Sequence, residues 1–332
     1  MAVNIAIIGC GRIAEKHLQA YRRLAGVNVA VADLESEKAR SLAHRFELEW
    51  HVDPRELIQR SDIDGVDVCV PTHAHQEIIT EALERQKHVF CEKPLTTTRE
   101  EALRIKALWS QAGVNLMTGY LYRFHPAFRL IKEVLEQDII GRPYFALFRL
   151  GGRGGSKEWK HRKSRGGGAI NEMLVHMLDL ALWYFGSPIS VQSLLCETLL
   201  KEREIEGELV DIDAEDVTLV RAEMPHGVTV LCQSDLITPS YMNYIELQGT
   251  NGSAWGSILD YFPTIVYCKE PRGAYKRGNN FFRFPRVNLF ESELRHFIET
   301  IKNGRTADAD AVESSVELVN IMEELNQGLK VG

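Results

Sequence analysis

Three groups of residues carry side chains able to do chemistry. The first is Lys93, in the run Cys91-Glu92-Lys93-Pro94-Leu95, which follows a short β-rich stretch at residues 88–91. A lysine at the end of a buried strand carries a compact charge on a flexible stem and is tuned by burial, which suits a proton-handling role. It could equally point into solvent, so Lys93 alone does not decide. The second group is Glu172, His176 and Asp179 in AINEMLVHMLDLALWYFG. A helix over residues 169–185 places all three on one face among apolar neighbours. There His176 is either a satisfied core histidine or an acid–base group. Glu172 and His176 have the spacing of two metal ligands on a helix, but no third ligand arrives in a recognisable motif, and no metal is expected. His73 and His75 form another close pair, which alternating strand-end positions would not aim at one ion.

The third group is a glycine turn, Gly9-Cys10-Gly11-Arg12-Ile13-Ala14. An apolar strand at 3–8 precedes it and a helix at about 13–24 follows. A second strand at 28–32 then ends in Asp33, about twenty residues on, which completes a dinucleotide fingerprint. Gly9 permits the tight turn, Gly11 lets backbone approach a pyrophosphate, and Ala14 allows close helix–strand packing. The helix N-terminus at Arg12 and Ile13 supplies N–H donors and a partial positive charge. Asp33 would accept hydrogen bonds from ribose hydroxyls and repel a 2′-phosphate. Leu34 stands where an arginine would favour NADP. NAD is therefore expected, in preference to NADP.

The elements that must position these residues read as repeated β–α units. Helices fall at 39–46, 54–60 (capped by Asp53) and 74–85, with buried strands at 66–70, 88–91 and 114–118. Such alternation gives a doubly wound parallel sheet with right-handed crossovers. Ligands bind at strand C-terminal ends, here marked by Gly9, Asp33, Pro71, Lys93 and Tyr120. Thr72 and His75, just past Pro71, and Glu92, beside Lys93, are taken as further cofactor contacts.

The 332 residues suffice for two domains. A formal charge of −7 argues against a general nucleic-acid binder. Six scattered cysteines without a CxxC pair read as reduced thiols of a cytoplasmic protein. The N-terminal apolar run is too short to span a membrane and lacks a basic leader.

The strings GCGRIA, VPTHAHQEIITEAL, KHVFCEKPL and GYLYRFHPAF resemble, in order and spacing, those of the Gfo/Idh/MocA oxidoreductases. The resemblance implies an α/β protein. A Rossmann domain would span residues 1–122, and a C-terminal α/β domain with an open, mainly antiparallel mixed sheet residues 123–332. It implies NAD(P)-linked oxidation or reduction of sugars, cyclitols and related polyols, with Lys93 beside nicotinamide and substrate. The pattern GGG-x(7)-H-x-x-D, here Gly166 to Asp179, matches the family's catalytic helix. It implies that His176 is the general base, with Glu172 where an aspartate is usual. That glutamate reaches one methylene further, and Leu174 stands where a smaller residue is commoner. Tyr120, Arg123 and His125 are candidate pocket residues, Arg123 being alternatively a structural ion-pair partner.

The rest of the chain frames this site. Residues 151–168, rich in glycine and bases and containing Trp159, read either as a solvated loop or as part of a pocket favouring an anionic group such as a sugar acid or nucleotide-sugar phosphate. Strands are expected at 144–150, 189–195, 217–223, 228–234, 244–248 and 264–268, and an acidic solvated loop or short excursion at 201–216. Helices at 126–137, 291–302 and 310–326 complete the pattern. An open sheet needs cover on its second face, so a homodimer or homotetramer through the C-terminal sheet is expected. A sugar-like small molecule is the expected partner, not a nucleic acid or membrane. Two alternatives share the fold: a non-catalytic NAD-binding sensor, and an enzyme that retains and recycles its cofactor.

Overall fold

The computed structural model describes residues 2–153, 157–238, 242–304 and 309–328. In chain order the elements are β1 (Val3–Ile8), α1 (Arg12–Tyr21), β2 (Val27–Ala32), α2 (Ser36–Phe46), β3 (Glu49–His51), α3 (Arg55–Ile58), β4 (Gly65–Val68), α4 (His75–Glu84), β5 (His88–Cys91), α5 (Arg99–Ala112) and β6 (Leu116–Thr118). Next come α6 (Pro126–Glu136), β7 (Pro143–Gly151), α7 (Val175–Phe185), β8 (Ser190–Glu197), β9 (Glu202–Ile205), β10 (Glu208–Asp211), β11 (Val217–Met224) and β12 (Val228–Asp235). β13 (Tyr244–Gly249), β14 (Gly252–Ser257), β15 (Thr264–Cys268), β16 (Gly278–Phe282), α8 (Leu289–Asn303) and α9 (Ala309–Asn326) finish the chain. Two compact units form: Met1–Leu121 with Val287–Val319, and Tyr122–Arg286 with Asn320–Gly332.

The first unit is a doubly wound α/β sheet. Its strands run in the order β3-β2-β1-β4-β5-β6, every pair parallel. Alternation along β1 separates two cores. Ile5 and Ile7 pack with Leu18 and Tyr21 of α1 and Phe297 of α8, while Ala6 and Ile8 pack with Ile79 of α4, Ile105 of α5 and Val316 of α9. Burial on both faces explains why these strands are continuous apolar runs. The chain leaves β1 toward β2 and returns to β4 on the other side, so the strand order reverses between β1 and β4. A crevice outside their C-terminal ends is where such sheets bind ligands.

α5 starts at a reciprocal cap. The Thr98 side chain accepts the Glu101 N–H, and the Glu101 carboxylate accepts the Thr98 N–H in return. Gly113 ends the helix with φ 68°, a left-handed conformation that suits glycine.

The second unit is built on an eight-stranded sheet ordered β16-β15-β14-β13-β7-β12-β11-β8. All its pairs are antiparallel except β7 with β12. One face buries Ala146, Phe148, Val230, Cys232, Ile245, Leu247 and Val266. Several elements differ from the expectations. The acidic stretch 201–216 is not simply a loop: β9 and β10 pair across Glu206 and Gly207, both at positive φ, the geometry of a tight hairpin turn. β14 and β16 lack a strong apolar alternation, and in the first unit so does β3, yet each pairs with a neighbour. The helix expected over 169–185 is not uniform, because residues Ile170–Leu174 form a wider π-helical turn before α7 begins. Among the described residues no helix is long and apolar enough to cross a membrane.

Replacing Thr98 by Ala removes one half of the α5 cap, and the expected cost is about 1 kcal/mol. A urea-unfolding midpoint unchanged from the parent would show that the cap contributes nothing.

Candidate functional site

The β1–α1 turn has the form a dinucleotide needs. Gly9 has φ 96°, and a Cβ there would lie 2.7 Å from the carbonyl oxygen of Cys69, so glycine is required on two counts. Its N–H donates to the Ala32 carbonyl at 2.8 Å, which ties the turn to β2. Gly11 caps α1, and a Cβ there would meet no atom within 4 Å, which leaves the helix N-terminus at Arg12 and Ile13 open. Asp33 is half-buried at the end of β2. Its Oδ2 accepts the Cys10 N–H at 2.7 Å and its Oδ1 the Glu35 N–H at 2.8 Å. Each oxygen keeps a lone pair for a ribose hydroxyl. Leu34 beside it is 78 % exposed and offers no charge for a 2′-phosphate. These residues fit NAD.

The turn after β5 is braced from below. The Lys93 N–H donates to Glu92 Oε2 at 3.2 Å, and the Lys93–Pro94 peptide is cis. His75 is buried, with Nδ1 3.0 Å from the Pro94 carbonyl and Nε2 3.0 Å from the Val70 carbonyl. Burial, only partly offset by those carbonyls, pulls its pKa below the ordinary value and keeps it neutral. A neutral ring carries a single N–H, so it donates to one of these two carbonyls while filling the space between the end of β4 and the lysine turn. Pro71 is exposed and Thr72 half-buried at the start of the short helical turn before α4. Tyr120 is buried just past β6.

A cluster that the sequence did not reveal lies beneath this turn: His17 of α1, Asp67 of β4, Cys69 and Glu92. Nδ1 of His17 is 2.9 Å from Asp67 Oδ2 and 3.4 Å from Cys69 Sγ, and Nε2 is 3.1 Å from Glu92 Oε1. His17, Asp67 and Cys69 are grouped closely enough to hold a metal ion. The 2.9 Å contact is a hydrogen-bond distance, whereas two ligands about 2 Å from one tetrahedral zinc lie roughly 3.3 Å apart. The spacing suits a proton better.

In the second unit, Glu172 lies in the π-helical turn, a feature frequent at functional sites. Its carboxylate pairs with Lys160, whose ammonium also lies 5.1 Å from the centroid of the Trp159 ring. The regular three-or-four spacing behind the single-face expectation does not hold through this turn. His176, in the first turn of α7, is 7 % exposed, with the Tyr122 ring edge-on at 5.0 Å. Asp179 is held by Arg123, whose Nε donates to both carboxylate oxygens at 3.0 and 3.1 Å. Arg123 is thus an ion-pair partner of α7, the structural role weighed for it above. Burial raises the Asp179 pKa although Arg123 opposes the shift.

Gly168, at φ 108°, leads into this helix, and a Cβ there would lie 2.2 Å from a Glu215 carboxylate oxygen. Glu215 accepts the Ile170 N–H at 3.0 Å and so caps the helix start. Its role was hidden in the acidic stretch, where nothing distinguished it from its neighbours. Of the basic residues between Arg149 and Arg165, four pair with carboxylates: Arg149 with Asp235, Lys157 with Glu206, Lys160 with Glu172 and Arg162 with Glu158. Residues 154–156 of that run lie outside the described residues.

A doubly wound sheet with an open glycine turn and an acid at the end of the next strand has the form of a dinucleotide-binding domain. Residues 3–120 match the oxidoreductase family with an NAD-binding Rossmann fold, and residues 128–255 match the GFO/IDH/MocA C-terminal domain. The chain belongs to the Gfo/Idh/MocA family and is an NAD(P)-dependent oxidoreductase. The oxidoreductase YrbE of Bacillus subtilis (strain 168) is 30% identical over 298 residues, 89% of this chain and 85% of its own length. The myo-inositol 2-dehydrogenase of Thermotoga maritima is 28% identical over 305 residues, 91% of this chain and 89% of that protein. The solved structure of levoglucosan dehydrogenase in complex with NADH and levoglucosan shares the fold. It has a TM-score of 0.86 at 23% identity, covering 100% of this chain and 99% of that one.

Burial pushes the pKa of His125 down to about 4, against weaker opposing pulls from the Ile258 backbone and Asp260. The unfolded chain titrates near about 6.5, so it binds more protons than the folded chain between those values. Stability therefore falls as pH drops through that window. A His125→Gln variant is expected to show a shallower fall in urea midpoint between about pH 7 and about pH 4.5. A fall as steep as the parent's would show that His125 does not contribute.

Proposed function

We propose that this chain oxidises a secondary alcohol of a neutral sugar or cyclitol, with His176 as general base and Lys93 polarising the reacting oxygen. Dehydrogenation of inositol by a relative of nearly equal length supports the substrate class. NAD, when bound at Gly9, Gly11, Arg12, Ile13 and Asp33, supplies the hydride acceptor. Pro71, Thr72, His75 and Glu92 belong to the wall that shapes this side of the crevice. Asp33 and Leu34 favour NAD over NADP.

Removal of hydride from a carbinol carbon leaves a proton to be taken from the hydroxyl. His176 is suited to accept it, being nearly enclosed beside the aromatic wall of Tyr122. Burial holds the Tyr122 phenol at a pKa of about 12, so it does not compete for the proton. The Lys93 ammonium would stabilise charge developing on the same oxygen. Glu172 would accept from a neighbouring hydroxyl and orient the substrate, with Tyr120, His125 and Trp159 as further contacts.

The observation that carries the neutral-substrate reading is the Lys160–Glu172 pair. It leaves a zwitterionic rather than a cationic lining, suited to hydroxyl groups that both donate and accept. A sugar acid or phosphate would have to compete with Glu172 for Lys160. The test is an NAD-reduction screen across inositols, aldoses, sugar acids and nucleotide sugars. Neutral polyols should turn over best, and Lys93→Ala and His176→Ala should each lose about 10²–10⁴-fold in rate. Preferred turnover of the acids would contradict the neutral reading. NAD binding without turnover of any of these would favour a sensor.

The outer face of the second unit's sheet supports self-association. Phe281 pairs with Ile265 and Ile265 with Trp255, and beyond Glu246 Leu147 pairs with Leu231, so two incompletely buried apolar segments flank one glutamate, while Tyr267 is exposed on the same face. We propose that a second copy covers it, in a dimer or tetramer. Light scattering should show an oligomer that Tyr267→Glu with Phe281→Glu dissociates; a monomeric parent would overturn this. The six thiols are all free, as suits the reducing cytoplasm proposed for this enzyme.

A further inference from the structure

His17 is fully buried where α1, β4 and the turn after β5 meet. Its ring faces two carboxylates at once: Asp67, 2.9 Å from Nδ1, and Glu92, 3.1 Å from Nε2. A neutral imidazole has a single N–H and can donate to just one of them. The other contact would then set an acceptor lone pair against a buried carboxylate. Both contacts are favourable together when the ring is doubly protonated.

The surrounding charges agree. Burial alone would strip the proton from His17, but its contacts, the Asp67 carboxylate first among them, outweigh that and hold the pKa well above the ordinary histidine value. Burial would likewise raise Glu92, yet His17 and, less strongly, Lys93 hold it low and ionised. Two other groups face the cluster. Glu293 of α8 is fully buried, neither oxygen has a hydrogen-bond partner among the described residues, and burial followed by the Glu92 charge keeps it protonated. The Tyr21 phenol of α1 is also kept neutral by burial. The cluster thus comprises two carboxylates, one imidazolium and the nearby Lys93 ammonium, with neutral Glu293, Cys69 and Tyr21 around them.

Glu92 is the link to the chemistry. Its Oε1 meets His17, and its Oε2 accepts the Lys93 backbone N–H. We infer that His17 is a positioning residue: a buried imidazolium, anchored by Asp67, clamps Glu92 and thereby fixes the backbone from which Lys93 projects. The inference rests on the reading of Lys93 as the polarising group. It adds a residue that lies outside the glycine fingerprint and touches neither substrate nor cofactor.

The test uses the full-length enzyme with NAD and the best neutral polyol from the screen, and the variants His17→Leu, His17→Gln, Glu92→Gln, His17→Leu with Glu92→Gln, and Lys93→Met. Misplacing a reacting group by about 1 Å costs on the order of 10²-fold. His17→Leu should lose about that in kcat, with KM and the NAD dissociation constant changed less than about threefold. His17→Gln keeps one amide donor for Glu92 and should recover part of the loss. The double variant should be no slower than the slower single one, since both act through one contact. In the parent enzyme, nitrogen NMR of labelled histidine should show both His17 ring nitrogens protonated above about pH 8.

Unchanged kcat in folded His17→Leu or Glu92→Gln, additive losses in the double variant, or a singly protonated ring would each overturn the inference. Where His17→Leu does not fold, His17→Gln, Glu92→Gln and the NMR measurement still decide. If Lys93→Met keeps full turnover, the reading of Lys93 fails. If Lys93→Met is inactive while the His17 variants are not, the positioning role alone fails.

Discussion

Two carboxylates, Asp67 and Glu92, sit beneath the crevice of the parallel sheet, and one imidazole answers both. Taking a charge out of water costs several kcal/mol, and a buried pair is tolerated where geometry and further hydrogen bonds compensate. Here compensation joins three elements that are distant in sequence: α1, which follows the glycine turn, β4, which lines the switch point, and the turn after β5. Removing His17 would leave both buried carboxylates without their shared partner. The helix after the glycine turn, the end of β4 and the lysine turn are therefore held by one electrostatic unit as well as by the two apolar cores.

The second unit uses charge differently. Arg123 fixes α7 by gripping Asp179, Glu215 closes the start of the preceding π-helical turn, and Lys160 neutralises Glu172. Several bases that the sequence offers to an anionic substrate are instead paired with acids nearby. His176, the proposed proton acceptor, is nearly enclosed and lies beside the Tyr122 ring.

Local patterns made much of this legible. The strand–glycine–helix–strand–acid series is a contiguous signal in which each residue has one geometric reason to be there, and the structure reproduces it almost to the residue. The apolar runs of β4 and β5 were equally plain because both faces of those strands are buried. Short strands were not. Glu49-Trp50-His51 and Gly278-Asn279-Asn280-Phe281-Phe282 carry too few alternating apolar positions, and pairing with neighbours decides them. The β9–β10 hairpin had a turn signal in Glu206-Gly207 that the surrounding acids obscured. The π-helical turn around Glu172 and the joining of His17, Asp67 and Glu92 left no local trace, since the first depends on backbone register and the second on contacts up to 75 residues apart.

If the proposed chemistry holds, a carbinol hydrogen of a neutral polyol moves to the cofactor while its hydroxyl proton moves to the protein. Deuterium placed on the carbinol carbons of the polyol, and followed by mass spectrometry and proton NMR, would trace that hydrogen. One deuterium per turnover is expected at nicotinamide C4, none of it from solvent, with a slower rate for the labelled substrate whenever the transfer limits turnover. Reduced cofactor carrying hydrogen from solvent instead of from substrate would contradict this chemistry.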